Sequence, residues 1–223
     1  MFVKICGIKT PDIAAQCFEL GADMIGLVHY PASPRHVNSE QIRAITKTVV
    51  PFRRQGKLIT LVVVDIEPAE ILRLLEACDN EIDCLQLHGK QQEILLTNHD
   101  LHVIRVVRNR ETCRQLVQQY SNSERNIKPD LPQYVLELSQ GILPGGNGKN
   151  WDWSAARLFC RRFPTLIAGG VSQDNIGEIV REAEPFGVDL SSSVESSPGV
   201  KDMDKIQRFF EMTEKHEQNR KNF

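Results

Sequence analysis

The sequence lacks the features that mark several large classes of protein. No apolar run approaches the roughly 18 residues needed to cross a membrane, so we expect no membrane partner. The N-terminus MFVKICGIKT has no signal-peptide core and no cleavage site, from which we expect a cytoplasmic protein. Neither sign of charge dominates, and the net charge of −2 at pH 7 argues against a broad nucleic-acid surface.

The cysteines form no recognisable metal or disulfide pattern. No two of them make a CxxC pair, and no His or Cys stands at zinc-finger spacing. Without a secretion signal we expect free thiols, and a buried small apolar side chain is the default role of each. The six are Cys6, Cys17, Cys78, Cys84, Cys113 and Cys160. We expect no metal ion at these cysteines.

What the sequence does contain is a regular alternation of short apolar runs and longer segments with helical spacing. The predicted strands are Phe2–Cys6, Met24–Val28, Leu58–Val64, Cys84–Leu87, Leu101–Val106, Tyr134–Leu138, Thr165–Ala168 and Val188–Leu190. The predicted helices are Pro11–Leu20, Ser39–Val49, Pro68–Cys78, Gln91–Asn98, Glu111–Tyr120, Trp153–Arg162, Gln173–Glu182 and Met203–Lys215. Pro11 and Pro68 suit a first helical turn, and Ser39 is the predicted N-cap of its helix.

Eight strand–helix pairs in 223 residues predict an α/β fold with a parallel sheet. The glycine-rich GxGxxG turn of a doubly wound dinucleotide fold is absent after the first strand. The size and number of units favour a (β/α)8 TIM barrel, predicted as one domain over residues 1–223. The polar segment Ser121–Pro132 is predicted to be a surface loop.

In such a barrel, functional residues gather just beyond the C-terminal ends of the strands. Gly169 and Gly170 follow the seventh strand, and the serine run of SSSVESSPGV follows the eighth. Glycine lets backbone N–H groups approach an anion, and serine adds hydroxyl donors. We therefore expect a phosphate cup at Gly169, Gly170, Ser192 and Ser193, with a short helical turn behind it. A plain polar linker is the alternative.

Other chemistry-bearing residues fall on the same rim. Cys6 ends the first strand and Glu137 the sixth, and a thiol with a carboxyl can serve as the base and acid of a proton-moving isomerisation. Nearby cations can ionise such a thiol. Arg35 lies in a proline-flanked turn, where its guanidinium can fork onto a substrate carboxylate or can simply lie at the surface.

Two further rim features have alternative interpretations. His88 is either a donor to the substrate or a buried side chain bonded to backbone. The loop GGNGK places Gly146 and Gly148 after the sixth strand. It is either a mobile cover that adds N–H donors to the anion site or a flexible loop without a role.

The motifs KICGIKTPDIA, GADMIGLVHYPASPRHV, LQLHG, GGNGKNWDW and AGGVSQDNI…PFGVDLSSSVESSPGVKD resemble those of the phosphoribosylanthranilate isomerase family of tryptophan biosynthesis. The resemblance covers nearly the whole chain. It implies a barrel that carries out an Amadori rearrangement of a phosphorylated small molecule, without cofactor, as a monomer or homodimer. It also implies a base at Cys6, an acid at the position of Glu137, a carboxylate-binding Arg35 and a substrate-site Asp189.

The chain departs from the family pattern at several positions. Glu137 stands where the family has aspartate, Ser193 where SSGVE is usual, and His29 where phenylalanine is common. Asn150 and Trp151 stand where Thr-Phe is usual. These changes leave two alternatives to the isomerase: a binding protein for a phosphorylated sugar or anthranilate-like ligand, and an isomerase or epimerase of another sugar phosphate.

Overall fold

The computed structural model describes residues 1–89, 101–120, 130–138 and 152–221, with side chains as far as residue 215. Eight parallel strands close into a barrel in chain order, and the eighth pairs with the first. The strands are β1 (Phe2–Cys6), β2 (Met24–His29), β3 (Leu58–Val64), β4 (Cys84–His88), β5 (His102–Val107), β6 (Tyr134–Leu136), β7 (Thr165–Ile167) and β8 (Gly187–Leu190). The expected (β/α)8 architecture is confirmed.

The helices lie outside the barrel and follow the strands. They are α1 (Pro11–Glu19), α2 (Ser39–Arg53), α3 (Pro68–Ala77), α4 (Arg110–Tyr120), α5 (Arg157–Arg162), α6 (Ile176–Ala183) and α7 (Met203–Lys221). A 3₁₀ turn over Trp153–Ala156 precedes α5, so the predicted helix Trp153–Arg162 consists of two pieces. The predicted helix Gln91–Asn98 and most of the predicted loop Ser121–Pro132 lie outside the described residues.

The apolar strands are buried on both faces because helices cover the outer face of a parallel sheet. The larger core packs between sheet and helices. A second cluster includes Met24, Ile104 and Leu166, from positions that point into the barrel. Val28 lies four residues after Met24 on the same face of β2. It packs with Cys6 and Val62. The barrel interior below the level of Cys6 therefore contains apolar side chains, together with the buried charged pair Lys4 and Asp189.

The predicted N-cap of α2 was wrong by one residue. Asn38 is the N-cap, and its side-chain oxygen accepts from the N–H of Gln41 at 2.9 Å. The Gln41 side chain accepts in return from the N–H of Asn38, which completes a capping box. Asn and Ser cap about equally well, so the adjacent pair Asn38-Ser39 could not be separated by propensity alone.

Helix α2 also continues beyond its predicted end at Val49, through Pro51 to Arg53. Proline has a φ compatible with a helix and removes one N–H. Since Pro51 lies in the last turn, only one hydrogen bond of the helix is affected.

Within the described residues no helix is long and apolar enough to span a membrane.

The capping box gives a direct test of this correction. Asn38→Ala removes the cap and should lower the free energy of unfolding by about 1 kcal/mol, which lowers the Tm by roughly 2–4 °C in a chain of this size. The matched control Ser39→Ala should change the Tm by much less. Thermal unfolding followed by circular dichroism compares the two. An equal loss in both variants would contradict the assignment.

Candidate active site at the C-terminal mouth of the barrel

The mouth contains a buried ion pair between β1 and β8. Lys4 lies opposite Asp189 in the strand register, and its Nζ is 2.8 Å from Asp189 Oδ2. Lys4 is fully buried. Burial is the largest single effect and disfavours its ammonium, but Asp189 and Cys6 together outweigh burial and raise the pKa of Lys4. The other oxygen, Asp189 Oδ1, is buried and has no partner in the part of the chain that the structure describes.

Cys6 lies beside this pair, two residues beyond Lys4 on the same inward face of β1. The Lys4 ammonium is hydrogen-bonded to its thiol and favours the thiolate. Burial acts against ionisation and is the larger effect, so the pKa of Cys6 is raised overall. The expectation that nearby cations ionise this thiol is therefore not met, since desolvation outweighs them.

Glu137 directly follows β6 and is held by its backbone, whose N–H donates to the Val107 carbonyl at 2.9 Å. Its side chain is buried, and Oε2 lies 3.3 Å from Nε of Arg108. Burial raises the pKa of Glu137, and the Arg108 charge only partly opposes this rise. Asp189 adds a small repulsion in the same direction as burial. The site therefore favours the protonated carboxyl, as a general acid requires.

His88 ends β4 and contacts two side chains. Arg108 Nη2 lies 2.8 Å from Nδ1, and an arginine can only donate, so Nδ1 accepts. Nε2 then carries the proton of the neutral ring and faces the Gln86 side-chain amide at 2.8 Å. If the Gln86 amide is turned so that its oxygen faces the ring, that oxygen accepts this N–H. The oxygen otherwise has no partner in the described chain.

Burial, followed by repulsion from Arg108, lowers the pKa of His88 to about 3. The ring is therefore neutral at neutral pH. The sequence left open whether the His88 ring is bonded to backbone. It is not, because its partners are the side chains of Gln86 and Arg108. Arg108 also contacts Glu137, so it links the histidine to the candidate acid.

Arg35 lies in the loop after β2 and already forks onto a carboxylate of the chain itself. Its Nε and Nη2 donate to Glu195 Oε1 and Oε2 at 2.8 and 2.7 Å. The predicted fork onto a substrate must therefore use the other edge of the guanidinium. That edge consists of Nη1 and the second hydrogen of Nη2, which still make a two-pronged donor.

The candidate phosphate corner lies after β7 and β8. Gly169 and Gly170 have φ of +79° and +88°, which glycine adopts without strain. A 3₁₀ turn spans Ser192–Val194, so the alternative of a plain linker is wrong. The first N–H groups of such a turn have no partner inside it. The Ser191 hydroxyl donates to the Cys6 carbonyl at 3.3 Å and ties this corner to β1.

Ser193 in place of a family glycine causes no backbone strain. Among the described residues, the non-glycine positions with positive φ are Asp65, Asp79, Asn80 and Glu184. Ser193 is not one of them, so the turn does not need glycine there. The other predicted anion-site residues, Gly146 and Gly148, lie outside the described residues.

Three charged residues of the mouth were missed from the sequence: Lys4, Glu195 and Lys201. The signal for Lys4 was its place in the strand FVKIC, where period-two alternation puts it on the same face as Cys6. Glu195 and Lys201 had no comparable signal, since Arg35 lies 160 residues from Glu195 and the contact between Glu195 and Lys201 depends on how the intervening chain folds. Over the described ranges no group of three or more His, Cys, Asp or Glu side chains is arranged to hold a metal ion.

Comparison with known proteins identifies one family. The family model for N-(5'phosphoribosyl)anthranilate (PRA) isomerase matches residues 3–212. The N-(5'-phosphoribosyl)anthranilate isomerase of Desulfatibacillum aliphaticivorans is 36% identical, over 94% of this chain and 91% of the relative. That of Sulfurihydrogenibium sp. is 34% identical, over 95% of this chain and 98% of the relative.

Solved structures give the same result. Phosphoribosyl anthranilate isomerase from Thermotoga maritima superimposes with a TM-score of 0.78 at 30% identity, over 96% of this chain and 99% of that chain. A phosphoribosyl anthranilate isomerase in complex with reduced 1-(o-carboxyphenylamino)-1-deoxyribulose 5-phosphate has a TM-score of 0.74 at 28% identity, with the same coverage. The likeness extends over nearly the full length of both chains.

The burial of Glu137 predicts a pH-dependent stability. Because the folded pKa is raised, folding favours the protonated form, and stability is lost as pH rises from the unfolded pKa through the folded one. Glu137→Gln cannot ionise, so its free energy of unfolding should exceed that of the unsubstituted protein at pH 7. The two should converge at about pH 4, near the pKa of an unfolded glutamate. Urea unfolding at both pH values measures the difference, and a less stable Gln variant at pH 7 would contradict the buried-acid description.

Proposed function

The chain belongs to the N-(5'-phosphoribosyl)anthranilate isomerase family, and from that premise we propose how it converts its substrate. N-(5'-phosphoribosyl)anthranilate becomes 1-(2-carboxyphenylamino)-1-deoxyribulose 5-phosphate by an acid–base Amadori rearrangement. The observation that carries the proposed roles is that the buried thiol of Cys6 and the buried carboxyl of Glu137 share one electrostatic environment. The charge of Asp189 affects the pKa of both.

Glu137 is the general acid of the first step. It gives its proton to the ribose ring oxygen, the bond from that oxygen to the anomeric carbon breaks, and the nitrogen lone pair forms the C=N bond of a protonated imine. The raised pKa of Glu137 supports this role, because burial makes its carboxyl hold a proton at higher pH than an exposed glutamate does. Glutamate is about one methylene longer than the family's aspartate, so the position of its carboxyl is set by the Val107 and Arg108 contacts.

Cys6 is the general base of the second step. Its thiolate removes the proton from C2, and the electron pair left behind forms the C1–C2 double bond of an enolamine as the imine nitrogen becomes neutral. The enolamine then tautomerises to the ketone. The reaction needs the proton on Glu137 and not on Cys6, and the Lys4 ammonium favours that arrangement because it stabilises the thiolate.

The two ends of the substrate are bound on either side of these groups. The phosphate is assigned to the N–H groups and hydroxyls of Gly169, Gly170, Ser192 and Ser193, and the anthranilate carboxylate to the outer edge of Arg35. Asp189 Oδ1, which is buried and unpartnered within the described residues, is suited to accept from a substrate hydroxyl.

We further propose a cytoplasmic enzyme that is a monomer or a homodimer. One related structure is described as showing monomers of the dimeric phosphoribosylanthranilate isomerase of Thermotoga maritima, at 27% identity and a TM-score of 0.74. The family's place in tryptophan biosynthesis supports the location.

Turnover of freshly generated substrate tests the function, followed by the loss of its fluorescence. Cys6→Ser replaces the base by a hydroxyl of much higher pKa and should lower kcat by roughly 100- to 10,000-fold. Cys113→Ser is the matched control, since this buried cysteine lies on α4 outside the barrel mouth, and it should keep its turnover.

Full turnover in the Cys6→Ser variant would contradict the role of Cys6. If the unsubstituted protein binds the reduced product analogue without turning over substrate, the binding-protein alternative is correct. A rate well above that of the Cys6→Ser variant establishes the isomerase and shows that Glu137 serves in place of aspartate.

A further inference from the structure

Glu195 is a buried carboxylate to which the proposed reaction assigns no role. Its side chain is only 3% exposed, yet it receives both Arg35 donors and the Lys201 ammonium, whose Nζ lies 2.8 Å from Oε1. Lys205 Nζ donates to the Glu195 carbonyl at 2.7 Å, which fixes the backbone as well. Burial opposes ionisation, but the donors from Arg35 and Lys201 lower the pKa of Glu195 overall.

The segment that carries Glu195 closes over the loop of Arg35. Strands β9 (Glu195–Ser197) and β10 (Val200–Lys201) form a small antiparallel hairpin directly after the phosphate corner. At its turn Gly199 has φ of +82°, and a Cβ there would lie 2.3 Å from the Pro34 carbonyl oxygen. The hairpin therefore packs against the residue that precedes Arg35.

Arg35 is confined from the opposite side too. A Cβ on Gly7 would lie 2.6 Å from Arg35 Cδ, so the stem of the arginine rests on the backbone that follows Cys6. The Arg35 N–H donates to Ser33 Oγ at 3.1 Å. With the stem against Gly7 and one edge of the guanidinium on Glu195, the remaining edge has a fixed direction.

Lys201 connects the same carboxylate to the phosphate corner. Its Nζ donates to the Ser191 carbonyl at 3.1 Å as well as to Glu195. Ser191 is the residue from which the 3₁₀ turn Ser192–Val194 begins. The buried Lys201 ammonium thus contacts both the start of the phosphate corner and the Glu195 carboxylate, which binds Arg35.

We propose that Glu195 is a positioning residue that fixes the guanidinium of Arg35 so that its Nη1 edge meets the substrate carboxylate, and that Lys201 ties this arrangement to the phosphate corner. The proposal rests on the role proposed above for Arg35. A fork aligned in advance loses less side-chain entropy when the ligand binds, so its alignment contributes to affinity for the carboxylate.

The test uses anthranilate itself as a probe, titrated by fluorescence onto the folded protein, and the KM for the full substrate. Glu195→Gln keeps the size of the side chain and removes its charge. We expect roughly tenfold weaker anthranilate binding and a similar rise in KM, because an oriented charge-assisted fork is lost, while kcat changes much less. Glu184→Gln is the matched control, since Glu184 also binds arginines, Arg157 and Arg161, but on the helical exterior. It should leave both quantities unchanged.

Addition of Glu195→Gln to Arg35→Ala separates positioning from a general structural role. If Glu195 acts through Arg35, the second substitution adds no further loss of anthranilate binding. The same tenfold loss in both backgrounds would overturn the proposal. So would unchanged binding in Glu195→Gln.

Glu195→Asp covers the case in which the Gln variant does not fold, because it keeps a negative charge beside Lys201 but shortens the reach to Arg35. If Glu195→Asp raises the KM in the unsubstituted background but not in the Arg35→Ala background, the result supports the positioning role of Glu195. An unchanged KM overturns that role.

The outcome is distinguishable from a failure of the proposed function. If the unsubstituted protein binds anthranilate in the expected Glu195-dependent way but turns over no substrate, the isomerase is wrong and the positioning role stands. If it turns over substrate while Arg35→Ala binds anthranilate normally, the isomerase stands and the positioning role is wrong.

Discussion

The buried ion pair of Lys4 and Asp189 is the constraint on which the mouth of this barrel depends. The two residues lie opposite each other where β8 pairs with β1, at the seam that closes the barrel. Two charges in a desolvated interior are tolerated only in close contact, and removal of one partner from such a pair is strongly destabilising. The register of β1 and β8 brings the two charges together, and their contact then dominates the electrostatics of the site.

The protonation states around this pair follow from burial more than from net charge. Cys6 and Glu137 both have raised pKa values with desolvation as the leading cause, although cations stand beside each of them. A carboxyl that keeps its proton suits an acid, whereas a thiol that keeps its proton must give it up before it can act as a base. Lys4 lowers the free-energy cost of deprotonating the Cys6 thiol, which explains why a charged residue occupies a fully buried strand position.

A good part of this architecture could be predicted from the sequence, since most predicted strands agree with the structure to within two residues. Alternation within FVKIC puts Cys6 and Lys4 on one face, and the order of strands puts Glu137, Asp189 and the serines on one rim. The N-cap of α2 was misplaced because Asn38 and Ser39 have similar capping propensity and only hydrogen-bond geometry separates them. The end of α2 was placed too early because a proline in the last turn looks like a stop signal in sequence.

The sequence by itself determined the fold class and the rim, because these depend on local periodicity and strand order, and the acid and base were proposed from their place on that rim and from the family resemblance. Only the tertiary structure decided which groups pair. Lys4 meets Asp189 across 185 residues, and Arg35 meets Glu195 across 160. The ionisation of Cys6 was likewise beyond sequence, since it is a balance between desolvation and a lysine whose charge Asp189 maintains. Such pairings and balances exist only after the barrel closes and excludes water, and no local pattern of residues encodes them.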